Sequence, residues 1–142
     1  MIDQVDSITA AHLRALEDEE IGVAYRIKNF YLPFFRQFTV QRKLCPADVR
    51  ILDCGCGNGA SVEYLAESGS WATGIDLAQA RCEQWGGRAQ LPRVALLRAD
   101  AGHLPFANCT FDIVLSSGML EHIGVAEECT PQYRVSPLPE QN

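Results

Sequence analysis

The chain has 142 residues, of which 47% are hydrophobic and 21% charged, a composition typical of a globular domain with its own core. The net charge of −6 argues against a general nucleic-acid binder. No apolar run approaches the roughly 20 residues of a membrane span. Because the acidic N-terminus shows no secretory leader, we expect a cytoplasmic protein whose six cysteines are reduced.

The first 48 residues predict a helical segment. One helix is predicted over residues 7–29, and a second, beginning at Pro33, over residues 33–44. The acidic run from Glu17 to Glu20 is interpreted as a solvated face. Residues 21–47 carry five basic residues, no acidic residue and a stripe of aromatic side chains. The stripe favours packing on the core, and the alternative is a lid that attracts an anionic or lipid-like substrate.

From residue 49 onward, strands and helices alternate. Strands are predicted over residues 49–53, 71–76, 94–99 and 111–116, and helices over residues 59–68, 77–85 and 119–123. This order predicts a doubly wound, mostly parallel α/β sheet of the Rossmann-like type over residues 49–123. Residues 124–142 contain three prolines without periodicity and predict an irregular tail.

The most informative stretch is the turn after the first strand, where Gly55, Gly57 and Gly59 follow Asp53 at alternate positions. Glycine allows positive φ and lets the backbone come close to a ligand, here at the start of a helix. Cys54 and Cys56 lie inside this turn but have no CxxC partner, so no metal site is predicted.

Three acidic residues are predicted at the ends of neighbouring strands: Asp53, Asp76 and Asp100. Ligands of open α/β sheets bind outside the carboxyl ends of the strands. Three carboxylates at that edge indicate a ligand rich in hydroxyl, amine or N–H groups. The alternative is that they only cap turns and helices.

A dinucleotide site must also be considered, because Gly55, Gly57 and Ala60 match a dinucleotide fingerprint and Asp76 has the spacing of its ribose acid. Three features argue against NAD. Asp53 would repel a pyrophosphate, the third glycine favours a ligand without a diphosphate, and Asp100 could accept a hydrogen bond from an adenine amino group.

Four motifs, in order, resemble those of class I S-adenosylmethionine-dependent methyltransferases of the small-molecule, type 11-like group. They are Asp53-x-Gly55-x-Gly57-x-Gly59, Gly74-Ile75-Asp76-Leu77, residues 100–106 with 111–114, and Met119-Leu120-Glu121-His122-Ile123. The resemblance covers residues 49–123. It implies S-adenosylmethionine as the cofactor and in-line methyl transfer to a small molecule as the reaction.

The resemblance also implies which residues bind the cofactor. In chain order, the three acids would bind the methionine amine, the ribose hydroxyls and the adenine amino group. The full set is Asp53, Gly55, Cys56, Gly57, Gly59, Asp76, Leu77, Asp100, Ala101, Ser116 and Ser117. His122 is the candidate general base, and the alternative is a residue of the pocket wall.

The family's sheet has more strands than the four predicted here, so we expect the N-terminal part of a larger methyltransferase. The apolar fourth strand would lie at an open edge, which self-association or a partner chain could cover. Two alternatives to an active methyltransferase remain: a cofactor-binding remnant without turnover, and an NAD-dependent oxidoreductase.

Overall fold

The fold is built on one parallel sheet. A computed structural model of the protein describes residues 18–116. The strands are β1 (Arg50–Cys54), β2 (Trp71–Asp76), β3 (Val94–Arg98) and β4 (Ile113–Ser116), in the order β3-β2-β1-β4. All three strand pairs are parallel. The predicted Rossmann-like α/β sheet is therefore confirmed.

A continuous helical segment precedes the sheet. Residues 18–26 are α-helical (α1), Ile27–Tyr31 form a π-helical turn, and α2 runs over Leu32–Arg42. The predicted break between two helices is wrong. The N–H of Leu32 donates to the carbonyl of Ile27, five residues back, and Pro33 falls in the first turn of α2. The wider π-helical turn precedes Pro33, whose missing N–H leaves one backbone bond unmade, and the chain stays helical on both sides of it.

Two short helices lie between the strands. The helix α3 spans Ala60–Glu67, close to its prediction, whereas α4 spans only Gln79–Cys82. Short 3₁₀ turns occupy Pro46–Asp48 and Gly86–Gln90. The predicted helix over residues 77–85 is too long because Asp76 Oδ1 accepts the N–H of Ala78 at 2.9 Å, which delays the start of α4.

The sheet buries apolar side chains on both faces. On one face lie the helical segment and α3, and on the other the loop that connects β3 to β4. The first cluster includes Ile27, Phe35, Val49, Ile51, Val62, Leu65, Ala72 and Ile113. The second consists of Leu52, Cys54, Ile75 and Ala101, with Ala99, Leu104, Phe106, Phe111 and Val114 packed against it. Consecutive β1 residues thus enter opposite cores, as expected for a strand covered on both faces.

The direction of chain progression reverses at β1. The chain moves from β1 to β2 and β3 on one side and then returns to β4 on the other. The carboxyl ends of β1 and β4 therefore flank a topological switch point, the place at which α/β sheets bind ligands. Within the described residues β4 is an edge strand, as predicted. The predicted helix 119–123 and the tail 124–142 lie outside the described residues.

The predicted fourth strand begins two residues too early. Phe111 lies in the preceding loop, where its ring packs edge-on against Phe106 with the centroids 4.9 Å apart. Asp112 then accepts the N–H of Arg50 at 2.8 Å, and β4 begins at Ile113. Aromatic packing therefore keeps Phe111 in the loop, and the strand begins later than the apolar run in the sequence predicts.

Gly74 marks the closest approach of α3 to the sheet. A Cβ on this residue would lie 2.6 Å from Val62 Cγ2 and 2.7 Å from Cys56 Sγ. Because both neighbours are buried, the glycine is required here for space.

We expect Gly74→Ala to lower the free energy of unfolding by about 1–3 kcal/mol, the usual cost of overpacking a core, as measured by urea denaturation. Gly87→Ala is the matched control, since nothing lies within 4 Å of its Cβ position. It should change stability by less than about 1 kcal/mol. Equal stability of the two variants would contradict the described packing of α3 on β2.

Candidate functional site

The loop that follows β1 at the switch point is formed by residues 55–59, here called the glycine loop. Gly55, Gly57 and Gly59 have φ values of 76°, 58° and 84°. Residues other than glycine adopt this left-handed backbone conformation only at a cost in steric energy, because their Cβ atom is crowded. The alternating glycines therefore let the chain turn sharply from β1 into α3.

The first three N–H groups of the glycine loop are bonded within the protein. Those of Gly55 and Cys56 donate to the carbonyl of Ile75, at 2.8 and 3.0 Å. The N–H of Gly57 donates to Asp76 Oδ2 at 3.0 Å. These three donors are therefore not directed at a phosphate.

Asp53 is buried beneath the loop, with 6% of its surface exposed. It is the fourth residue of β1, so the prediction that it ends the strand is wrong. Burial raises its pKa to about 6, against a hydrogen bond from the Ser61 hydroxyl and the charge of Arg26, and the charge of Asp76 adds to the increase. A cation placed beside Asp53 would therefore stabilise the ionised form of its carboxyl group.

Asp76 ends β2, as predicted, and lies beside the loop. Its two carboxylate oxygens accept the N–H groups of Gly57 and Ala78. Each carboxylate oxygen has a second lone pair, so Asp76 can still accept hydrogen bonds from ligand hydroxyls. Leu77, the next residue, is 57% exposed and offers an apolar surface at this edge.

Asp100 lies two residues beyond β3, so the prediction that it ends this strand is wrong as well. Its Oδ1 accepts the N–H of Gly102 at 2.8 Å, which lowers the pKa of the carboxyl group, and His103 adds to the effect. Its side chain is half exposed, while Ala101 is buried. Asp100 is therefore charged and accessible.

Ser116 ends β4 and pairs in register with Cys54, the residue before the glycine loop. Its hydroxyl oxygen is buried and has no hydrogen-bond partner within residues 18–116. A buried polar atom of this kind is satisfied by a ligand, a water or another part of the chain. The predicted site residues Ser117 and His122 lie outside the described residues.

Cys56 is buried inside the glycine loop. Its burial, together with the nearby charges of Asp53 and Asp76, raises the pKa of the thiol. The side chain is therefore a neutral thiol at physiological pH. Within residues 18–116, no three His, Cys, Asp or Glu residues are arranged to hold a metal ion.

The acidic run of α1 is not simply solvated, so that interpretation is wrong. Glu19 pairs with Arg81, and Glu20 pairs with Arg88. The indole N–H of Trp85 donates to the carbonyl of Gly57 at 2.8 Å. These contacts were not predicted from the sequence, although residues 81, 85 and 88 have a helical spacing that places them on one side of the chain.

An open groove lies at the opposite end of the sheet. It encloses about 470 Å³ and is lined by Arg50, Trp71, Thr73, Phe106, Thr110 and Phe111. Arg50 and Trp71 begin β1 and β2, so this groove is remote from the switch point. None of the predicted cofactor residues lines it, and we assign the candidate site to the glycine loop.

Comparisons with known proteins show the family of the chain. A family model described as a methyltransferase domain matches residues 51–132. Among curated proteins, a demethylmenaquinone methyltransferase of Corynebacterium urealyticum is 34% identical over 111 residues, 74% of this chain and 46% of that protein. A phthiotriol/phenolphthiotriol dimycocerosates methyltransferase of Mycobacterium leprae is 41% identical over 69 residues, 47% of this chain and 26% of that protein.

A solved structure shows a similar fold. Phosphoethanolamine N-methyltransferase 2 of Haemonchus contortus, in complex with S-adenosyl-L-methionine, aligns with a TM-score of 0.55 and 26% identity. The alignment covers 60% of this chain and 21% of that one. This chain thus spans less than half the length of the relatives described here. No helix within residues 18–116 is long and apolar enough to cross a membrane.

We expect the stability of the protein to depend on pH through Asp53. Because the pKa of about 6 in the folded state exceeds the ordinary value of 3.8, the folded state binds more protons between these pH values. Stability from this group is therefore lost as the pH rises from about 4 to 6, by about 3 kcal/mol. Urea denaturation at several pH values measures it.

Asp53→Asn is the comparison for this prediction, because an amide can still accept the Ser61 hydrogen bond but does not titrate. The stability of the variant relative to wild type should increase across the same pH range. A stability difference that stays constant with pH would show that Asp53 titrates as an exposed carboxyl group does.

Proposed function

The chain belongs to the methyltransferase-domain family, and from this premise we propose that it binds S-adenosylmethionine at the glycine loop and supports methyl transfer to a small molecule. The observation that carries the proposal is the placement of a buried carboxylate, Asp53, under the glycine loop at the switch point of the sheet. A carboxylate in this position favours a ligand with a cationic group.

The side chains around the loop fit this cofactor. Asp53 would stabilise its cationic methionine end, since burial has left this carboxylate without a full counter-charge. Asp76 keeps acceptor capacity for ribose hydroxyls, and Leu77 offers apolar surface for adenine. Ser116, whose buried hydroxyl lacks a partner within residues 18–116, would complete the set.

The same geometry argues against a dinucleotide. The N–H groups of Gly55, Cys56 and Gly57 are taken by Ile75 and Asp76, so they do not form a cradle for a pyrophosphate. Asp53 beneath them would repel a diphosphate further. The NAD-dependent alternative is supported only by the glycine pattern and by the spacing of Asp76, which matches the ribose acid of a dinucleotide site.

S-adenosylmethionine, when bound, supplies an electrophilic methyl group, so the protein has mainly to position and desolvate the reactants. In this proposal Asp53 and Asp76 orient the bound cofactor, Asp53 at its methionine end and Asp76 at its ribose. His122 stays the candidate general base for an acceptor that must lose a proton. Cys56, a buried thiol in the site, fits a reducing compartment, and we propose the cytoplasm as the place of action.

The acceptor is proposed to be a small molecule, as for the relatives named above after demethylmenaquinone and phthiotriol compounds. A cofactor-binding form without turnover is the second candidate, because the chain covers only 46% of the demethylmenaquinone methyltransferase. Turnover by the 142-residue chain, measured as formation of S-adenosylhomocysteine with acceptors of these classes, distinguishes the two.

We expect S-adenosylmethionine or S-adenosylhomocysteine, but not NAD, to raise the thermal unfolding temperature. At about 100 times the dissociation constant, binding stabilises a folded protein by about 2.7 kcal/mol. Asp76→Ala should abolish the shift, because it removes the proposed ribose acceptor. Stabilisation by NAD alone would refute the methyltransferase proposal.

Asp112→Ala is the matched control for Asp76→Ala. Like Asp76, Asp112 accepts a backbone N–H group. Its donor is Arg50, at 2.8 Å, and it lies at the opposite end of the sheet. Both variants should lose some intrinsic stability, and only Asp76→Ala should lose the ligand-induced shift.

We also expect cofactor affinity to rise with pH through about 6. A cationic amine favours ionised Asp53, which is largely protonated below its pKa of about 6, so binding in acid must first release that proton. Isothermal titration calorimetry between about pH 5 and 7 should show up to a tenfold change per pH unit. Asp53→Asn should bind weakly and without this dependence.

A further inference from the structure

The helix α1 lies against the glycine loop and forms ion pairs with Arg81 and Arg88, which follow β2 in the chain. Arg81 Nη1, on α4, lies 2.9 Å from both carboxylate oxygens of Glu19. The side chains of Arg81 and Glu19 are 37% and 29% exposed. The pair is therefore partly shielded from solvent, and it connects the N-terminal helical segment to the end of the sheet that holds the candidate site.

Glu19 and Arg81 meet above Gly57. A Cβ on Gly57 would lie 3.5 Å from Glu19 Oε1 and 4.0 Å from the guanidinium carbon of Arg81. The N–H of Gly57 is bonded to Asp76 and its carbonyl to Trp85. The pair thus covers a face of Gly57 that the loop itself leaves open.

Arg88, which pairs with Glu20, is anchored differently. Its Nε lies 2.6 Å from Glu63 Oε2 on α3, and its Nη1 donates to the carbonyl of Asn58 at 3.5 Å. These bonds do not involve α1, so Arg88 keeps its place if α1 moves away.

Arg81 has fewer contacts of this kind. Besides its bonds to Glu19, Arg81 Nη1 donates to Oε1 of the neighbouring Gln84 at 3.2 Å, on an exposed surface. Both ion pairs hold α1 against this end of the sheet, and of the two the Glu19–Arg81 pair is the one that lies on Gly57 and has the more weakly anchored arginine.

Building on the proposed function, we propose that Glu19 and Arg81 form a clasp that holds α1 over the bound cofactor, so that cofactor release requires this ion pair to open. Both are positioning residues in this scheme. The N–H groups of Gly55, Cys56 and Gly57 are bonded to β2. In this proposal, retention of the cofactor therefore depends on the surrounding side chains and on α1 above them.

The rate of cofactor release from the full chain tests the clasp. Radiolabelled S-adenosylmethionine is bound, chased with unlabelled cofactor and followed by rapid filtration. Glu19→Gln and Arg81→Gln should each release it about two- to fivefold faster, the range set by a partly exposed ion pair. The double variant Glu19→Arg with Arg81→Glu should return the rate towards wild type.

Glu83→Gln is the matched control. Glu83 follows α4 and contacts Gln79 at 3.1 Å, and the substitution removes the same charge without touching α1. Its release rate should equal that of wild type. Salt gives a test without substitution: raising it from about 0.05 to 0.5 M should speed release from wild type more than from Glu19→Gln, because salt screens the pair.

Unchanged or slower release from both single variants would overturn the clasp, as would a double variant whose rate is the product of the two single effects. Thermal unfolding without ligand checks that the variants fold. If wild type binds no cofactor at all, the proposed function fails and the clasp with it. Binding by wild type with unaltered release in the variants overturns the clasp alone.

Discussion

The hydrogen bonds between the glycine loop and the end of β2 are the constraint on which the site depends. The carbonyl of Ile75 takes the N–H groups of Gly55 and Cys56, and the carboxylate of Asp76 takes that of Gly57. These bonds fix the loop beside the neighbouring strand and set the direction of Asp76. They also support the proposed kind of ligand, because these three occupied donors do not form an anion cradle. Polarity at this end of the sheet therefore comes from carboxylates.

The sequence predicted the parallel sheet and the glycine turn well, because both follow from strong local patterns. Continuous apolar runs identify strands covered on both faces, and alternating glycines identify a turn that needs positive φ. The parallel order and the neighbourhood of Asp53 and Asp76 then follow from the alternation of strands and helices. The family resemblance added the identity of the cofactor, because residue patterns alone left both S-adenosylmethionine and NAD to be considered.

The errors arose where side chains redirect the backbone. Asp76 holds the N–H of Ala78 and postpones α4, and Phe111 packs on Phe106 before β4 can begin. The π-helical turn carries the chain past Pro33 in one continuous helix. The acidic residues of α1 were assigned to solvent because their partners, Arg81 and Arg88, lie more than 60 positions away in sequence. No local period reveals contacts at that separation.

Cys56 shows a further consequence of this arrangement. A thiolate is a strong nucleophile, and a site proposed to hold an electrophilic methyl donor would risk alkylating itself if it contained one. The carboxylates proposed to attract the cofactor, Asp53 and Asp76, are also the charges that help to keep Cys56 protonated. The same electrostatic field would therefore recruit the reagent and protect the protein from it, which makes a cysteine tolerable at a position where it would otherwise be a liability.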